Sequence, residues 1–512
     1  MNEHKLFLNG EWVESAAGET FEDTNPATLE PIGVFQKASL EDVKSAVDSS
    51  EEAFYSWSRT PAPQRGKILF RAARLLEERK EELARLMTVE NGKILQEARG
   101  DVQEAIDMAY YAAGEGRRLL GETAPSELPD KFCMTVRRPI GVLGLITPFN
   151  FPMAIPAWKI MPALISGNTM VLKPSSDTPL LAIELIKILT QAGVPKGVLN
   201  LVTGEGGNVG AAIVRNKKIR AVSFTGSLDT GKWILKEASD DMKRISLEMG
   251  GKNPIIVMDD ANMDLAVDGV LWGAFGTAGQ RCTAASRVIV DEKVLPEFLK
   301  NLVERAKRLK VGSGLDEGVD MGPLINGSQL ARVERYVQIG RDEGARLVLG
   351  GRKIKPLPGY FFEPTIFTDV TADMKIGSEE IFGPVLSLMS AGSLEQAIEI
   401  ANSVPYGLSS SIYTGSIKNA FLAMEQIDAG ITYVNAPTIG AEIHLPFGGV
   451  KATGNGTREA GTTAIGEFTD LKTVYFDYSG RLQKAQIDTA EKKNGQWNHI
   501  HCKQTAKRKV DR

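Results

Sequence analysis

The chain has 512 residues, of which 43% are hydrophobic, 24% charged and 7% aromatic, and this composition excludes disordered, collagen-like and membrane-embedded proteins. This length predicts about two to four domains, because a single hydrophobic core rarely includes more than about 250 to 300 residues. A formal charge of −4 does not attract the chain to nucleic acid or to an anionic membrane, so we expect a small-molecule partner.

The N-terminal region is predicted to contain short strands followed by one long helix. Residues 5–60 are typical of strands and turns, and Asn9-Gly10 between LFL and EWV predicts a hairpin turn. From Pro63 to about Met87, apolar residues recur at helical spacing among Arg, Lys and Glu, which predicts one amphipathic helix. We assign this helix a structural role.

Short apolar runs alternate with helical stretches from Pro139 to Pro254. The runs are GVLGLITP, TMVLKP, GVLNLVTG, AVSFTGS and NPIIVMDD. This alternation predicts βαβ units on a buried parallel sheet, where ligands bind at the carboxyl ends of the strands. A second region of the same kind, from about Ala261 to Val450, has strands near SRVIVDE, ARLVLGG and VLSLMSA. The predicted fold class is α/β with two lobes, and they pack firmly together because no Gly/Ser linker separates them.

The cysteines and the N-terminus indicate a cytoplasmic location. Cys133, Cys282 and Cys502 are an odd number without CxxC spacing, which disfavours disulfides and structural zinc. The first residues, MNEHKLFLNGEW, are charged from the third position and lack an apolar run, so we predict no export signal and no membrane span.

The C-terminal residues 489–512 form a basic segment in which apolar periodicity is lost, and we predict a disordered tail. A nucleic-acid or membrane anchor is the alternative, although a terminal charge run is usually just solvated. Cys502 with His499 and His501 offers an opportunistic metal site, but we predict that no metal is bound.

Cys282 is a candidate nucleophile because it follows Arg281 in a glycine-containing loop, AFGTAGQRC, that leads into an apolar strand. A cation beside an exposed thiol favours the reactive thiolate. A lone cysteine is also often a small buried hydrophobe, so this window leaves both interpretations open.

Two polar residues strengthen the catalytic interpretation. Glu248 precedes Gly250 and Gly251, whose flexibility lets a loop bring the carboxylate close to another element. Asn150 stands between Pro148 and Pro152, which stiffen its backbone, so that its amide can donate a fixed hydrogen bond to an oxyanion. Each residue also has an ordinary interpretation, as a surface-loop acid or a turn residue.

Seven motifs, in order, resemble those of the aldehyde dehydrogenase superfamily, and the similarity runs from about residue 5 to residue 488. They are TPFNFP, LKPSSDTP, FTGSLDTG, LEMGGKNP, GQRC, EEIFGPV and LPFGGVKATG. The resemblance implies that Cys282 is the nucleophile, that Glu248 is the general base, and that Asn150 and the Cys282 backbone amide bind the oxyanion. Relatives that transfer the acyl group to coenzyme A lack this glutamate, so the resemblance implies hydrolysis to a free acid.

The same resemblance implies an NAD or NADP cofactor held by eight residues. FTGSLDTG allows a tight turn into a helix whose N-terminus meets a pyrophosphate, although it is not the GxGxxG fingerprint. The implied cofactor-binding residues are Lys173, Ser176, Gly206, Gly226, Ser227, Gly231, Glu380 and Phe382. Many NAD-preferring relatives carry a glutamate where this chain has Ser176, so we expect NADP to be accepted, with neighbouring Asp177 as the residue that could restore repulsion.

The substrate prediction depends on Arg281, which resembles subfamilies that oxidise carboxylated semialdehydes. A guanidinium beside the pocket can hold a carboxylate, and the surrounding sequence is most similar to 2,5-dioxopentanoate (α-ketoglutaric semialdehyde) dehydrogenases. The alternative is a structural salt bridge made by Arg281, with broad specificity for aliphatic or aromatic aldehydes. Alternatives of another class are a non-redox thiol hydrolase and a binding protein that has lost catalysis.

The resemblance also implies the domain organisation and self-association. We predict a cofactor-binding domain over 1–119 and 140–250, a catalytic domain over 251–450, both Rossmann-like, and an oligomerisation element over 120–139 and 466–488. Strands FCMTVRRP and TVYFDY of this element pair across subunits in the family, so we expect a homodimer or homotetramer in which Cys133 is structural.

Overall fold

The computed structural model describes residues 2–487, so the predicted tail over 489–512, with His499, His501 and Cys502, lies outside the described residues. The strands in chain order are β1 (Glu3–His4), β2 (Leu6–Leu8), β3 (Glu11–Val13), β4 (Thr20–Thr24), β5 (Pro31–Gln36), β6 (Thr123–Pro125), β7 (Lys131–Pro139), β8 (Val142–Ile146), β9 (Thr169–Lys173), β10 (Leu199–Leu201), β11 (Ile219–Thr225), β12 (Arg244–Glu248), β13 (Asn253–Val257), β14 (Ala285–Asp291), β15 (Arg346–Leu349), β16 (Thr365–Thr368), β17 (Val385–Ala391), β18 (Tyr406–Gly407), β19 (Ser409–Tyr413), β20 (Ile431–Val434), β21 (Val450–Lys451) and β22 (Thr469–Asp477).

The α-helices alternate with these strands over most of the chain. They are α1 (Leu40–Trp57), α2 (Ala62–Glu78), α3 (Lys80–Asn91), α4 (Leu95–Glu115), α5 (Ala154–Ser166), α6 (Pro179–Ala192), α7 (Ala211–Arg215), α8 (Leu228–Ala238), α9 (Met263–Phe275), α10 (Leu295–Ala306), α11 (Gly327–Asp342), α12 (Lys375–Ser378), α13 (Leu394–Asn402), α14 (Ile417–Gln426) and α15 (Thr463–Glu467). A π-helical turn spans Gly206–Gly210, and a 3₁₀ turn spans Gly276–Gly279.

The first large sheet has the strand order β12-β11-β8-β9-β10-β2-β3. Strands β12 to β10 are parallel, as the apolar runs predict, and β2 and β3 add an antiparallel hairpin. Asn9 (φ 50°) and Gly10 (φ 82°) form its turn, which confirms the hairpin prediction.

Both faces of this sheet are buried, which explains why its strands read as continuous apolar runs. Along β9, Met170 and Leu172 pack into the core shared with the helices α2 to α6, whereas Val171 packs into a second core on the opposite face. Parallel strands need this cover on both sides because their helical crossovers run over both faces.

The second large sheet has the order β15-β16-β17-β14-β13-β19-β20, and β15 is its one antiparallel strand. It has its own core, which includes Ile256, Ile289 and Leu388. Fold class is therefore confirmed as mixed α/β with two large, mainly parallel sheets.

The chain forms two compact units. Of the described residues, one unit contains 2–119 and 138–470, with both large sheets, and the other contains 120–137 and 471–487. The sheet β22-β7-β6 builds the described part of the second unit. The assignment of cofactor-binding, catalytic and oligomerisation roles to the predicted domain ranges stays a prediction.

Two details of the sequence-based prediction are wrong. Residues 40–57 form helix α1 rather than strands and turns. A capping box marks the start of this helix: each of Ser39 and Asp42 accepts, through its side chain, a hydrogen bond from the main-chain N–H of the other. The segment from Pro63 to Met87 is two helices, α2 and α3, because Arg79 leaves the helical region (φ −102°, ψ 8°). Apolar spacing continues through Arg79, so periodicity alone does not show this break.

The carboxyl ends of the first sheet carry several residues that were predicted to be functional. Lys173 ends β9 and Glu248 ends β12, Gly226 and Ser227 directly follow β11, and the loop after β8 contains Asn150. This is the edge where open parallel sheets bind ligands.

Candidate active site

Two cavities meet at Cys282. The first, of about 630 Å³, is lined by Glu104, Phe151, Ile155, Trp158, Thr225, Glu248, Met249, Arg281, Cys282, Thr283, Gly440, Ala441, Phe447 and Glu459. The second, of about 710 Å³, is lined by Pro148, Phe149, Asn150, Thr225, Gly226, Ser227, Met249, Gly250, Cys282, Gln329, Arg332, Glu380 and Phe382. Thr225, Met249 and Cys282 line both cavities, so a group at the sulfur faces both spaces.

The loop that carries Cys282 begins with three left-handed residues. Thr277 (φ 52°), Ala278 (φ 53°) and Gly279 (φ 69°) follow α9 in succession. Two of these are not glycine, so the backbone is strained and the surrounding contacts must hold it. Glu97 provides one such contact, since Thr277 N donates to its Oε1 at 2.7 Å.

Asn253 and Gln280 fix the chain around the thiol. Asn253 Nδ2 donates to Cys282 O (2.8 Å) and to Ala284 O (2.9 Å), and Asn253 Oδ1 accepts from Ser409 N (3.0 Å). Gln280 Oε1 accepts from the main-chain N–H of Ile325 at 3.0 Å. These bonds orient the half-buried free thiol toward the cavities without using it as a donor.

Burial raises the pKa of Cys282 to about 12, and the carboxyl groups of Glu380 and Glu248 act in the same direction. Main-chain hydrogen bonds from Thr283 and Cys282 itself oppose the shift. The group is therefore a thiol at neutral pH, and its proton must leave when it reacts.

Glu248 ends β12 and is 2% exposed. Neither of its carboxyl oxygens has a hydrogen-bond partner within residues 2–487. Burial and then Glu459 raise its pKa well above the usual range, whereas Lys159 lowers it. Glu459 in turn is ion-paired with the buried Lys159. Glu248 is thus a carboxyl group whose protonated form is favoured by burial and which lines the cavity without a fixed partner.

Asn150 is held through its backbone by charged and polar residues from another part of the chain. Lys93 Nζ donates to Asn150 O at 2.7 Å and pairs with Asp101 at 2.8 Å, and both charged side chains are fully buried. Asn91 Nδ2 donates to Phe149 O at 2.9 Å. The Asn150 side chain lines the second cavity together with Cys282.

Arg281 makes the structural salt bridge that was one of its two interpretations, and its contact with a substrate carboxylate stays a prediction. Its Nη2 pairs with Glu97 Oε1 at 3.0 Å, and its Nε donates to Thr277 Oγ1 at 2.9 Å, so it makes a buried structural contact. Its guanidinium also packs over the rings of Phe151 (5.4 Å) and Trp272 (5.2 Å). It nevertheless lines the first cavity beside Cys282.

The predicted cofactor residues on the α8 side form a close turn. Ser227 caps α8, because its Oγ accepts from Thr230 N at 3.4 Å, and Gly226 precedes it. A β-carbon at Gly231 would lie 2.3 Å from the sulfur of Met249, so a larger residue there would displace the Met249 side chain, which lines both cavities. Gly206 begins the π-helical turn, where space for a β-carbon is open.

Lys173 and Ser176 lie on the neighbouring loop. Burial lowers the pKa of Lys173 to about 8, and its Nζ donates to Pro174 O at 2.8 Å. Ser176 Oγ donates to Gly204 O at 2.9 Å. The Asp177 carboxylate already has a partner within the protein, since Asn326 Nδ2 donates a hydrogen bond to its Oδ1 at 2.9 Å.

Glu380 and Phe382 line the second cavity with Cys282. Glu380 Oε1 accepts from Gly251 N at 3.0 Å, and burial raises its pKa to about 7. Phe382 has φ 62° and meets Phe149 edge-on with ring centroids 5.8 Å apart. A β-carbon at Gly250 would lie 2.2 Å from Glu380 Oε2, so that glycine makes room for this carboxyl group.

Comparison with known proteins agrees with this geometry. The model of the aldehyde dehydrogenase family matches residues 12–474. The chain belongs to the aldehyde dehydrogenase family. It is therefore an oxidoreductase that acts on aldehydes.

Three relatives illustrate the extent of the similarity. The alpha-ketoglutaric semialdehyde dehydrogenase of Bacillus subtilis (strain 168) is 43% identical over 478 residues, which cover 93% of this chain and 98% of that protein. The 2,5-dioxopentanoate dehydrogenase of Saccharolobus solfataricus is 43% identical over 475 residues, with 91% and 98% covered. The crystal structure of betaine aldehyde dehydrogenase from Staphylococcus aureus in complex with NAD⁺ has a TM-score of 0.92 at 36% identity, with 94% and 96% covered.

Several residues of the enzyme that surround the site were missed by sequence reasoning. They are Glu97, Glu104, Lys93, Asp101, Asn253, Lys159 and Glu459. The charged residues in α4 look like a solvated helix face in the sequence. Asn253 had a usable signal, because an asparagine at the start of a buried strand needs partners for its amide.

Two searches of the described residues bear on other classes of site. Within residues 2–487, no three or more His, Cys, Asp or Glu side chains are grouped so that they could hold a metal ion. In the same part of the chain, every helix is too short or too polar to cross a membrane.

Proposed function

We propose that the enzyme oxidises a carboxylated aldehyde, such as 2,5-dioxopentanoate, to the corresponding acid with NAD or NADP. One observation carries this proposal: Cys282 stands where a cavity containing Glu248 and Arg281 meets a second cavity containing Asn150 and Glu380. An aldehyde in the first cavity and a cofactor in the second would then both reach the sulfur.

The chemistry in and around the second cavity suits a dinucleotide. Ser227 lines this cavity at the N-terminus of the 11-residue helix α8 and would meet a phosphate. Outside the cavity lining, the open backbone at Gly206 and the buried cation Lys173 would provide sites for the rest of the dinucleotide. Glu380 would accept from the ribose beside the nicotinamide, and Phe382 would pack against the ring. When bound, the nicotinamide accepts the hydride.

Cys282 and Asn150 would carry out the first chemical step. The sulfur bonds to the aldehyde carbon, the thiol proton passes to solvent water, and the carbonyl oxygen becomes an oxyanion that the Asn150 amide and the Cys282 N–H stabilise. Loss of the hydride from this carbon leaves a thioester on Cys282. The carbon is thereby oxidised, and the acyl group remains bound to the enzyme.

Glu248 would act in hydrolysis. A water attacks the thioester carbon while the Glu248 carboxylate takes its proton, the C–S bond breaks, and the acid leaves. Since burial and Glu459 raise the pKa of Glu248, the reactive carboxylate form increases as the pH rises. The raised pKa of Cys282 acts in the same direction, so we expect kcat/KM to increase toward alkaline pH.

Arg281 would hold the substrate carboxylate. Its Nε and Nη2 already donate to Thr277 and Glu97, and within residues 2–487 its Nη1 has no acceptor. Both N–H groups of Nη1 therefore remain for a ligand in the first cavity. The names of the two relatives that are 43% identical support the same substrate class.

The test measures reduced cofactor by its absorbance near 340 nm with 2,5-dioxopentanoate, succinate semialdehyde and pentanal, each with NAD and with NADP. We expect turnover with both cofactors and a higher kcat/KM for the carboxylated aldehydes. Preference for pentanal would favour broad specificity. Hydrolysis of 4-nitrophenyl acetate without any reduction of cofactor would indicate a non-redox thiol hydrolase.

We also propose that the enzyme is a cytoplasmic homodimer or homotetramer that associates through β7 and β22. Support comes from apolar side chains on this sheet, since Phe132 is 44%, Tyr475 65% and Phe476 52% exposed. Cys133 is buried, and both described cysteines are free thiols, as expected in a reducing compartment. Light scattering during gel filtration would give the number of subunits.

A further inference from the structure

Glu104 is a carboxyl group of helix α4 that lines the aldehyde cavity with Cys282 and Arg281. Within residues 2–487 it makes no hydrogen bond and no ion pair. A half-buried carboxyl group that faces a cavity without a partner is available to a ligand. Neither the sequence motifs nor the proposed mechanism uses it.

The charged groups around Glu104 are already matched in pairs. Lys93 pairs with Asp101 at 2.8 Å, and Arg281 pairs with Glu97 at 3.0 Å. Asp107 is an exposed residue on the same helix. From β20 the titratable neighbour is Tyr433, a neutral phenol. Glu248, Cys282 and Glu459 line the same cavity, and Glu459 is ion-paired with Lys159. Ionisation of Glu104 therefore adds one negative charge to the cavity, independently of the state of Glu248.

We propose that Glu104 determines substrate specificity as a neutral acid, which donates a hydrogen bond to the carboxylate or 2-oxo oxygen of a carboxylated aldehyde beside Arg281. This assignment rests on the proposed function, because it concerns the same cavity and substrate class. A neutral carboxyl group can donate to an anion, whereas an ionised one can only accept and repels it.

Burial and then Asp101 raise the pKa of Glu104 to about 8, while Arg281 and Lys93 oppose the shift and Asp107 adds to it. Below this pH the acid is protonated and donates to the substrate. Above it, the ionised group places a negative charge opposite the substrate carboxylate. Affinity for carboxylated aldehydes should consequently fall as the pH rises, and affinity for neutral aldehydes should not.

The experiment compares kcat/KM for 2,5-dioxopentanoate with kcat/KM for pentanal, an uncharged aldehyde of equal chain length, at saturating NAD from about pH 6 to about pH 9.5. The requirement for deprotonated Cys282 and Glu248 affects both substrates and cancels in this ratio, whereas any repulsion of the substrate carboxylate by ionised Glu248 or Cys282 is retained in Glu104→Gln. We expect the ratio to fall about tenfold or more in the wild-type enzyme, which is the effect of one added charge in a partly screened site. In Glu104→Gln the ratio should stay at its low-pH value throughout.

Asp107→Asn is the matched control, because it removes one carboxylate from the exposed side of the same helix. We expect its ratio to follow the wild-type profile. A constant ratio in the wild-type enzyme, or a ratio that falls equally in Glu104→Gln, would overturn the assignment. A constant ratio in the wild-type enzyme overturns the assignment whether or not a variant folds, and Glu104→Gln separates the effect of Glu104 from that of Glu248.

The outcomes separate the assignment from the proposed function. A ratio that favours pentanal at every pH, but falls with pH and is flattened by Glu104→Gln, rejects the carboxylated substrate and supports the role of Glu104. A ratio that favours 2,5-dioxopentanoate and is unaffected by Glu104→Gln does the opposite. Absence of turnover with both aldehydes rejects both.

Discussion

In the loop that carries Cys282, Asn253 donates to two main-chain carbonyls and Gln280 accepts from a third main-chain group. The carboxyl groups of Glu248 and Glu104, on the walls of the same cavity, have no hydrogen-bond partner within residues 2–487. The position of the Cys282 loop is thus fixed by hydrogen bonds to its main chain, whereas the carboxyl groups of Glu248 and Glu104 are left without hydrogen-bond partners. Burial of a partnerless carboxyl group raises its pKa, which a fixed donor would prevent.

The largest effect should come from Glu248→Gln, which removes the unpaired base but leaves the loop unchanged. We expect kcat to fall by about 10²- to 10⁴-fold, the usual contribution of a general base. Rapid mixing should still show about one equivalent of reduced cofactor per active site, because only thioester hydrolysis needs the base. Cys282→Ala is the control that abolishes the burst, and loss of the burst in Glu248→Gln would contradict the assigned role.

The same variant changes how stability depends on pH. The pKa of Glu248 is raised in the folded state, so the folded protein retains a proton that the unfolded chain has lost above its ordinary carboxyl pKa. Its contribution to folding stability consequently falls as the pH rises above that value. We expect Glu248→Gln to raise Tm more at pH 9 than at pH 5, and an equal change at both would contradict this.

The second largest effect should come from Asn253→Ala, which releases the loop and leaves the carboxyl groups in place. Loss of the two hydrogen bonds from Asn253 to Cys282 O and Ala284 O should weaken the loop by about 2–3 kcal/mol, which is roughly 30- to 150-fold faster amide hydrogen exchange over residues 277–286. Mass spectrometry of peptides after exchange measures this directly.

Asn402→Ala is its matched control, since Asn402 also bonds the main chain through both amide atoms, at Gln426 O and Asp428 N, but in an exposed position. Its exchange over 277–286 should equal that of the wild type. Equal exchange in Asn253→Ala and the wild type would show that other contacts hold the loop.

Arg281 contacts the Cys282 loop through Thr277 and also lines the cavity that contains Glu248 and Glu104. Arg281→Ala should raise KM for 2,5-dioxopentanoate by about tenfold and change KM for pentanal by no more than about twofold, because one carboxylate contact is lost. The pair Glu97→Gln with Arg281→Ala controls for the buried charge that the single variant leaves behind. Equal increases for both aldehydes would assign Arg281 a purely structural role.

The smallest expected effect concerns Ser176, which stands where many NAD-preferring relatives carry a glutamate. Ser176→Glu should lower kcat/KM for NADP by about tenfold and leave NAD nearly unchanged, because the new carboxylate repels a 2′-phosphate. Ser176→Ala controls for loss of the hydrogen bond to Gly204. Acceptance of NADP would be wrong if the wild-type enzyme used it at under about 1% of the NAD efficiency, a gap of roughly 2.7 kcal/mol.

Sequence patterns predicted the parallel strands well, because burial on both faces makes each of them a continuous apolar run. The same patterns missed α1, where the capping box formed by Ser39 and Asp42 was the local signal. The motif residues Cys282, Glu248 and Asn150 do line the two joined cavities, and their roles stay predictions.

Glu104 and Glu97 could not be predicted from the sequence. Helical periodicity separates apolar from polar positions, but it does not distinguish a carboxyl group that faces water from one that faces an internal cavity. That distinction depends on α4 packing beside a loop almost 180 residues later in the chain, where Arg281 binds Glu97.

The wall shared by the two cavities consists of Thr225, Met249 and Cys282, so the sulfur is accessible from two directions. A covalent inhibitor attached at Cys282 can therefore be extended along either branch. Extension toward Arg281 would exploit differences among aldehyde specificities, and extension toward Glu380 would compete with the dinucleotide. Selectivity between paralogues is best sought along the first branch.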